Sequence, residues 1–194
     1  MSPRSEAQWQ EMREQSREKI LSAALELFAE RGFHNTPIQQ IAKKAEVAKG
    51  LIYRYFDSKE DLLVGIIHSA FKEGDDYLEE ANTITDPKEK LKMMFDISFD
   101  YIKGQPHHNR LLMQLSLQLD QFPVITQMIV AKYHANMPNL ENLLEELGIP
   151  DHKLEANFLI AALDGIALRY LIFKEAMDLN LLKEGLLKKY IEHP

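Results

Sequence analysis

The sequence predicts an all-α fold of about nine helices, in which short helices near the N-terminus give way to longer ones. Apolar residues recur three and four apart along most of the chain, and no segment sustains the period-two alternation of a half-buried strand. Helix-opening and helix-closing residues punctuate the chain at helical lengths.

Taken in order, the first helix is expected over Arg17–Arg31, with Ile20, Ala24, Leu27 and Phe28 on one stripe and Gly32 as its stop. Thr36 then reads as an N-cap, Pro37 as the first helical residue and Gln39 as the partner of a capping box. That helix ends by Ala45, because Glu46–Val47–Ala48 reads as a turn before a third helix, Lys49–Tyr55. Ser58 caps the next, with Glu60 and Asp61 in its first turn where the helix dipole favours negative charge. It runs to about Glu80 and breaks at Asn82–Thr85. Asp86–Pro87 opens a helix that ends near Gly104–Pro106, and His107 to about Asp120 forms another, closed before Pro123. Val124–Glu146 contains Pro138, so a kink or break is expected there. After the stop at Gly148–Ile149–Pro150, with Asp151 as cap, the last two helices span Lys153–Lys174 and Leu179–Tyr190. The expected boundary separates residues 1–57, ordered from about 14, from residues 58–194.

Composition narrows the function class. Apolar residues make up 45% of the 194-residue chain and charged residues 27%, the balance of a soluble globular protein. No run approaches the roughly 18 uninterrupted apolar residues of a membrane span, and the polar N-terminus lacks the apolar middle of a secretory signal. The chain has no cysteine. A cytoplasmic protein with no membrane partner is therefore expected. Residues 1–62 hold ten basic and ten acidic residues, whereas residues 63–194 hold thirteen and twenty, which accounts for the whole net charge of -7. Within residues 39–59, Lys43, Lys44, Lys49, Arg54 and Lys59 face only Glu46 and Asp57. Such a patch grips phosphates or is a solvated face.

The seven histidines, His34, His68, His107, His108, His134, His152 and His193, show no metal-binding spacing, and the sequence has no Gly-rich phosphate loop. No nucleophile stands out, so no enzyme, metal or cofactor is expected.

Two short helices joined by a tight turn behind a longer supporting helix have helix-turn-helix geometry, in which the second helix enters the DNA major groove. Ile38, Ile41 and Ala42 line one face of the first, and Leu51, Ile52 and Phe56 pack back toward Leu27 and Phe28. Lys49, Gly50, Tyr53 and Arg54 then face outward, with Tyr55. Gly50 costs helix propensity but lets the backbone approach a groove wall.

The run FAERGFHNTPIQQIAKKAEVAKGLIYRYFDSKEDLL resembles the N-terminal signature of the TetR family of repressors through Phe28, Gly32, Thr36, Lys49, Gly50, Tyr53, Phe56, Lys59 and Leu62. Tyr55 stands where histidine is usual in that pattern. The resemblance implies a homodimer that binds double-stranded operator DNA and is released by a small-molecule effector. It assigns DNA contacts to Thr36, Lys49, Gly50, Tyr53, Arg54, Tyr55 and Lys59, by hydroxyl, phenol or cation at phosphates and base edges. Tyr53 as core and Lys59 as an ordinary solvated lysine remain the alternatives.

The same resemblance places dimerisation on the last two helices. Ala156, Leu159, Ile160, Leu163, Ala167 and Leu171, with Leu182 and Leu186, form the stripe expected at that interface, unless it is intrachain core. A mainly apolar or aromatic effector is expected among the methionines and aromatics of the middle helices, at Met93, Phe99, Arg110, Met113, Leu117, Met128, Tyr133, Phe158 and Asp164.

Overall fold

Every strong helix signal in the sequence is realised. The computed structural model describes residues 6–192, and among them the chain forms α1 (Glu6–Arg31), α2 (Ile38–Lys44), α3 (Lys49–Tyr55), α4 (Lys59–Asn82), α5 (Pro87–Gly104), α6 (Pro106–Ser116), α7 (Pro123–Glu146), α8 (His152–Phe173) and α9 (Leu179–Leu187). His193 lies outside the described residues.

The chain divides into two compact units, one up to Ala70 and one from Phe71, rather than at residues 57 and 58. The reason is that the first turns of α4 complete the N-terminal core: Leu62, Leu63, Ile66 and Ile67 are fully buried, as are Ile20, Phe28, Ile41 and Ile52. Gly65 permits that packing. A Cβ there would lie 2.9 Å from the Phe56 ring and 3.1 Å from Leu21. Helix α1 starts at Glu6, well before the expected Arg17, and its early turns are exposed. Order therefore extends beyond the expected limit near residue 14.

Several ends differ from expectation for local reasons. The first helix after the Gly32 stop begins at Ile38, because Pro37 takes the N-cap position and Thr36 is drawn into the core. Helix α6 stops at Ser116, and a short 3-10 turn, Leu119–Gln121, leads to Pro123. Helix α7 continues through Pro138 without a break. Both Pro138 and His134, whose carbonyl loses its helical partner, are exposed, so solvent can replace that bond. Asp151 precedes α8 with φ 51 and contributes its carbonyl, accepting from Leu154 N–H at 2.7 Å, while its side chain makes no capping bond. The π-helical turn Lys188–Glu192 ends the described chain after α9.

The second unit has two apolar centres. Leu91 and Phe95 of α5, Leu140, Leu143 and Leu144 of α7, and Ala156 and Leu159 of α8 gather around Tyr190. Phe99, Ile102 and Ile166 form the other, covered by Ala167 and Leu182. This corrects the expected dimer stripe. Ala156 and Leu159 are buried within the chain, and Ile160, Leu163, Ala167, Leu182 and Leu186 pack against these two centres. Leu171 is half-buried. The apolar residues left uncovered on α8 are instead Leu154, Phe158, Ala161, Leu168, Ile172 and Phe173, with Leu181 on α9. Residues His152–Ala176 are long and apolar enough to cross a membrane, with only 11% of their most apolar window buried. The helix is apolar because it serves one face as core and carries a second apolar face outside.

The C-terminal end is tied down by charge. Glu155 accepts from Lys189 Nζ at 2.6 Å and from the Tyr190 hydroxyl at 2.8 Å. These two donors hold the Glu155 carboxyl below its usual range, with the lysine contributing most. The stabilisation is complete above the unfolded carboxyl value of 4.5 and is lost as pH falls through the lower folded value. Glu155→Gln should therefore lower stability by about 1 kcal/mol at pH 7, a partly exposed charge-assisted pair. Thermal melts across pH should show that difference shrinking below pH 4.5; a constant difference refutes the assignment.

Candidate nucleic-acid interface

The N-terminal unit holds α2 and α3 by bonds from outside them. At the end of α1, Gly32 takes φ +81, which turns the chain back on itself. Thr36 follows, 0% exposed, and its hydroxyl donates toward the carbonyls of Gly32 at 2.9 Å and Leu27 at 3.2 Å. It is a buried tie for the α1–α2 turn, not the surface phosphate ligand expected. Lys59, at the start of α4, is committed to the same turn. Its ammonium donates to the carbonyls of Phe33 at 2.9 Å and of His34 and Thr36 at 3.4 Å, and sits 4.4 Å from the Phe33 ring centre. The expected phosphate contact is corrected accordingly: Lys59 is an internal clasp. Ser58 caps α4 as expected, accepting from Asp61 N–H at 2.9 Å, while Asp61 accepts from Asp57 N–H at 3.0 Å.

Between α2 and α3 the chain makes a compact reversal. Val47 N–H reaches back to the Ala42 carbonyl at 3.0 Å and Glu46 N–H to Lys43 at 3.3 Å, the Schellman pair of a left-handed helix end. Glu46 is the left-handed residue, with φ 57, where glycine is the unstrained choice.

Helix α3 presents two faces. Ile52 is buried, followed by Phe56, whose ring lies 5.5 Å from the Arg17 guanidinium. Lys49, Gly50, Tyr53 and Arg54 are exposed, and Tyr55 is half-buried. Tyr53 is 49% exposed, which excludes it from the core, and the Lys49 ammonium lies 5.8 Å from its ring centre. A Cβ on Gly50 would meet nothing within 4 Å, so its missing side chain serves nothing inside this unit. Of the five expected cations, Lys59 is spent on the clasp and Lys44 on Glu26, 2.7 Å away. Lys43, Lys49 and Arg54 remain outward.

The expected effector residues do not converge. Phe99 belongs to the core, whereas Arg110, Leu117, Tyr133, Phe158 and Asp164 are exposed, Leu117 by 81%. Only Met93, Met113 and Met128 are half-buried as a pocket wall requires. Tyr133 donates to Asn157 Oδ1 at 2.8 Å across α7 and α8. Helical spacing alone left rotation undetermined, so pocket and surface residues were exchanged. A groove of about 450 Å³ does lie between α8 and α9, beside Gly165, Arg169, Asp178 and Leu181.

Residues 20–66 match the family of bacterial regulatory proteins, tetR family. The chain is 35% identical over 101 residues to the fatty acid metabolism regulator protein of Bacillus subtilis, covering 52% of each. It spans about half the length, or less, of the first curated relatives it matches. The fatty acid degradation regulator FadR from Bacillus halodurans superposes with a TM-score of 0.71 at 26% identity, covering 90% of this chain and 94% of that one. A regulator FadR from Bacillus subtilis, solved in complex with stearoyl-CoA, gives 0.71 at 25% identity over 91% and 98%.

Two substitutions test this geometry without DNA. Lys59→Met removes the ammonium from three carbonyls and should cost about 1–2 kcal/mol. Glu46→Gly relieves the left-handed position and should gain about 0.5–1 kcal/mol. Urea unfolding reads both; a Lys59→Met midpoint equal to wild type sinks the clasp.

Proposed function

We propose that this chain, which belongs to the TetR family of transcriptional regulators, is a repressor that binds a palindromic operator as a homodimer and leaves it when a small, mainly apolar or aromatic effector binds. The outward face of α3 carries the reading. Lys49, Gly50, Tyr53 and Arg54 form an exposed strip with two cations, a phenol and a bare backbone, on a chain whose net charge is otherwise negative. That is the chemistry of a helix seated in a major groove, with phosphates gripped locally and bases within reach.

One helix of seven residues contacts few base pairs. Two copies related by a two-fold axis read half-sites about 34–36 Å apart, which supplies both affinity and register. The uncovered apolar face supports this pairing. Leu154, Phe158, Ala161, Leu168 and Ile172 are spaced four, three, seven and four apart along α8, the spacing of a helix seam, and Leu181 of α9 adds to them. The Gly165 groove between α8 and α9 can accept side chains from the second copy.

The likeness to fatty acid regulators, one of them in complex with stearoyl-CoA, supports an apolar effector in the second unit. Half-buried Met93, Met113 and Met128 are adaptable groups for such a ligand. Release requires that the effector bind more tightly to the arrangement that cannot span both half-sites.

Selection of bound duplexes from a random pool should return a palindrome. Gly50→Leu should abolish binding to it by steric exclusion, and Gly50→Ala should leave stability equal or raise it by up to about 1 kcal/mol. Lys49→Met and Arg54→Met should each flatten the dependence of log affinity on log salt by about 0.9 for every phosphate that the wild-type side chain neutralises, whereas Lys59→Met should not change that slope. Wild-type affinity for Gly50→Leu contradicts the seating of α3. Leu168→Glu should yield a folded monomer by light scattering and circular dichroism, since a charge buried between copies is costly. A folded Leu168→Glu dimer moves the interface elsewhere.

A further inference from the structure

The uncovered face of α8 carries a glycine at its centre. Gly165 falls in the seven-residue gap between Ala161 and Leu168, four after the first and three before the second. With it, the spacing from Leu154 to Ile172 becomes four, three, four, three and four, the alternation of a coiled-coil seam. Gly165 has no steric reason to be glycine within its own chain. It is half-buried, a Cβ added there would meet nothing within 4 Å, and it borders the groove of about 450 Å³ beside Arg169 and Leu181. A glycine inside a helix costs stability relative to alanine. What it provides here, next to Ala161, is bare backbone that a second helix can approach closely.

Two charges flank the seam. Between Glu155 and the end of α8 the charged residues are Asp164 and Arg169, and both are exposed. They stand five residues apart, about 140° around the helix, and so do not face each other. Neither makes an ion pair among the described residues. The Arg169 guanidinium lies 5.7 Å from the ring centre of Phe173, one turn on in the same helix. Neighbouring atoms strip enough water from the Asp164 carboxyl to hold it above its usual range, and no cation of the chain offsets this. In the register of the seam, Asp164 immediately precedes the position of Gly165, and Arg169 immediately follows that of Leu168. Those are the two flanking positions at which opposite charges meet across paired helices: the first from one helix, and the one five residues later from the other.

We propose that Asp164 of one copy pairs with Arg169 of the second on each side of an α8 seam crossed closely at Ala161 and Gly165, and that these pairs make the chain select its own copy as partner. The proposal rests on the homodimer reading above and adds to it what fixes register and partner choice. Two-fold symmetry makes the pair twice from one sequence, so both charges along the seam are matched. A partner with unrelated residues at these positions strands an aspartate and an arginine against an apolar surface, which is the cost that separates self from non-self.

Sedimentation equilibrium of the full chain measures the pairing, with circular dichroism as the check on folding. Asp164→Arg and Arg169→Asp should each stay helical and weaken self-association by about tenfold or more, because like charges then face each other. An equimolar mixture of the two variants should associate nearly as wild type does, since each brings the charge the other lacks. The double variant Asp164→Arg/Arg169→Asp should associate with itself, yet tagged wild type should retain wild type and not the double variant. Gly165→Leu enters open space in its own chain, so it should keep its helix content and lose association. Single variants that associate as wild type does, or a mixture no stronger than its components, overturn the pairing while leaving the homodimer in place. A Gly165→Leu dimer of wild-type strength overturns the close crossing. A wild-type chain that stays monomeric overturns the pairing together with the homodimer reading.

Discussion

A helix of seven residues cannot hold itself in water, because the cost of nucleating it exceeds what so few bonds return. The N-terminal unit is arranged around that constraint. Helices α2 and α3 persist because α1 and the start of α4 form a wall on which Ile41, Ile52 and Phe56 are buried. Polar ties then fix the turns: the Thr36 hydroxyl at the end of α1, the Schellman pair around Glu46, and the Lys59 ammonium across three carbonyls. Those ties explain how Thr36 and Lys59, both in the motif, serve the placement of α3 without facing outward themselves. They fix the angle at which Lys49, Gly50, Tyr53 and Arg54 are shown outward.

Charge follows the same division of labour. Five cations gathered between residues 39 and 59 read as a single patch, but folding separates them. Lys44 answers Glu26 and Lys59 answers backbone dipoles, so local positive potential at the surface comes from Lys43, Lys49 and Arg54. The rest of the chain, residues 63–194, is net acidic, so phosphate contact is favoured only on this unit.

Helix α8 shows how an apolar helix can satisfy two requirements. Ala156, Leu159 and Ile166 complete the unit's own core, while Leu154, Phe158, Leu168 and Ile172 stay outside on a second face. A helix apolar nearly all round is usually buried all round, yet one apolar face of α8 stays uncovered within this chain. The stripe first expected at the interface and the one that faces out are both apolar at helical spacing, so periodicity detects the two equally.

Fold class, most of the helix stops and the outward face of α3 were legible in the residues, because they depend on local chemistry: caps, stops, apolar period and a motif of contiguous positions. Asp86 before α5, Gly32 after α1 and the turn at Glu46 act through neighbours a few residues away. The rotation of each long helix was decided only in the tertiary structure. Whether Leu163 or Leu168 faces the core, whether Phe158 lines a cavity or lies outside, and whether Lys59 reaches solvent or the carbonyl of Phe33 all depend on partners distant in sequence. Local rules act over one or two helical turns, and these choices are made by packing free energy summed across helices.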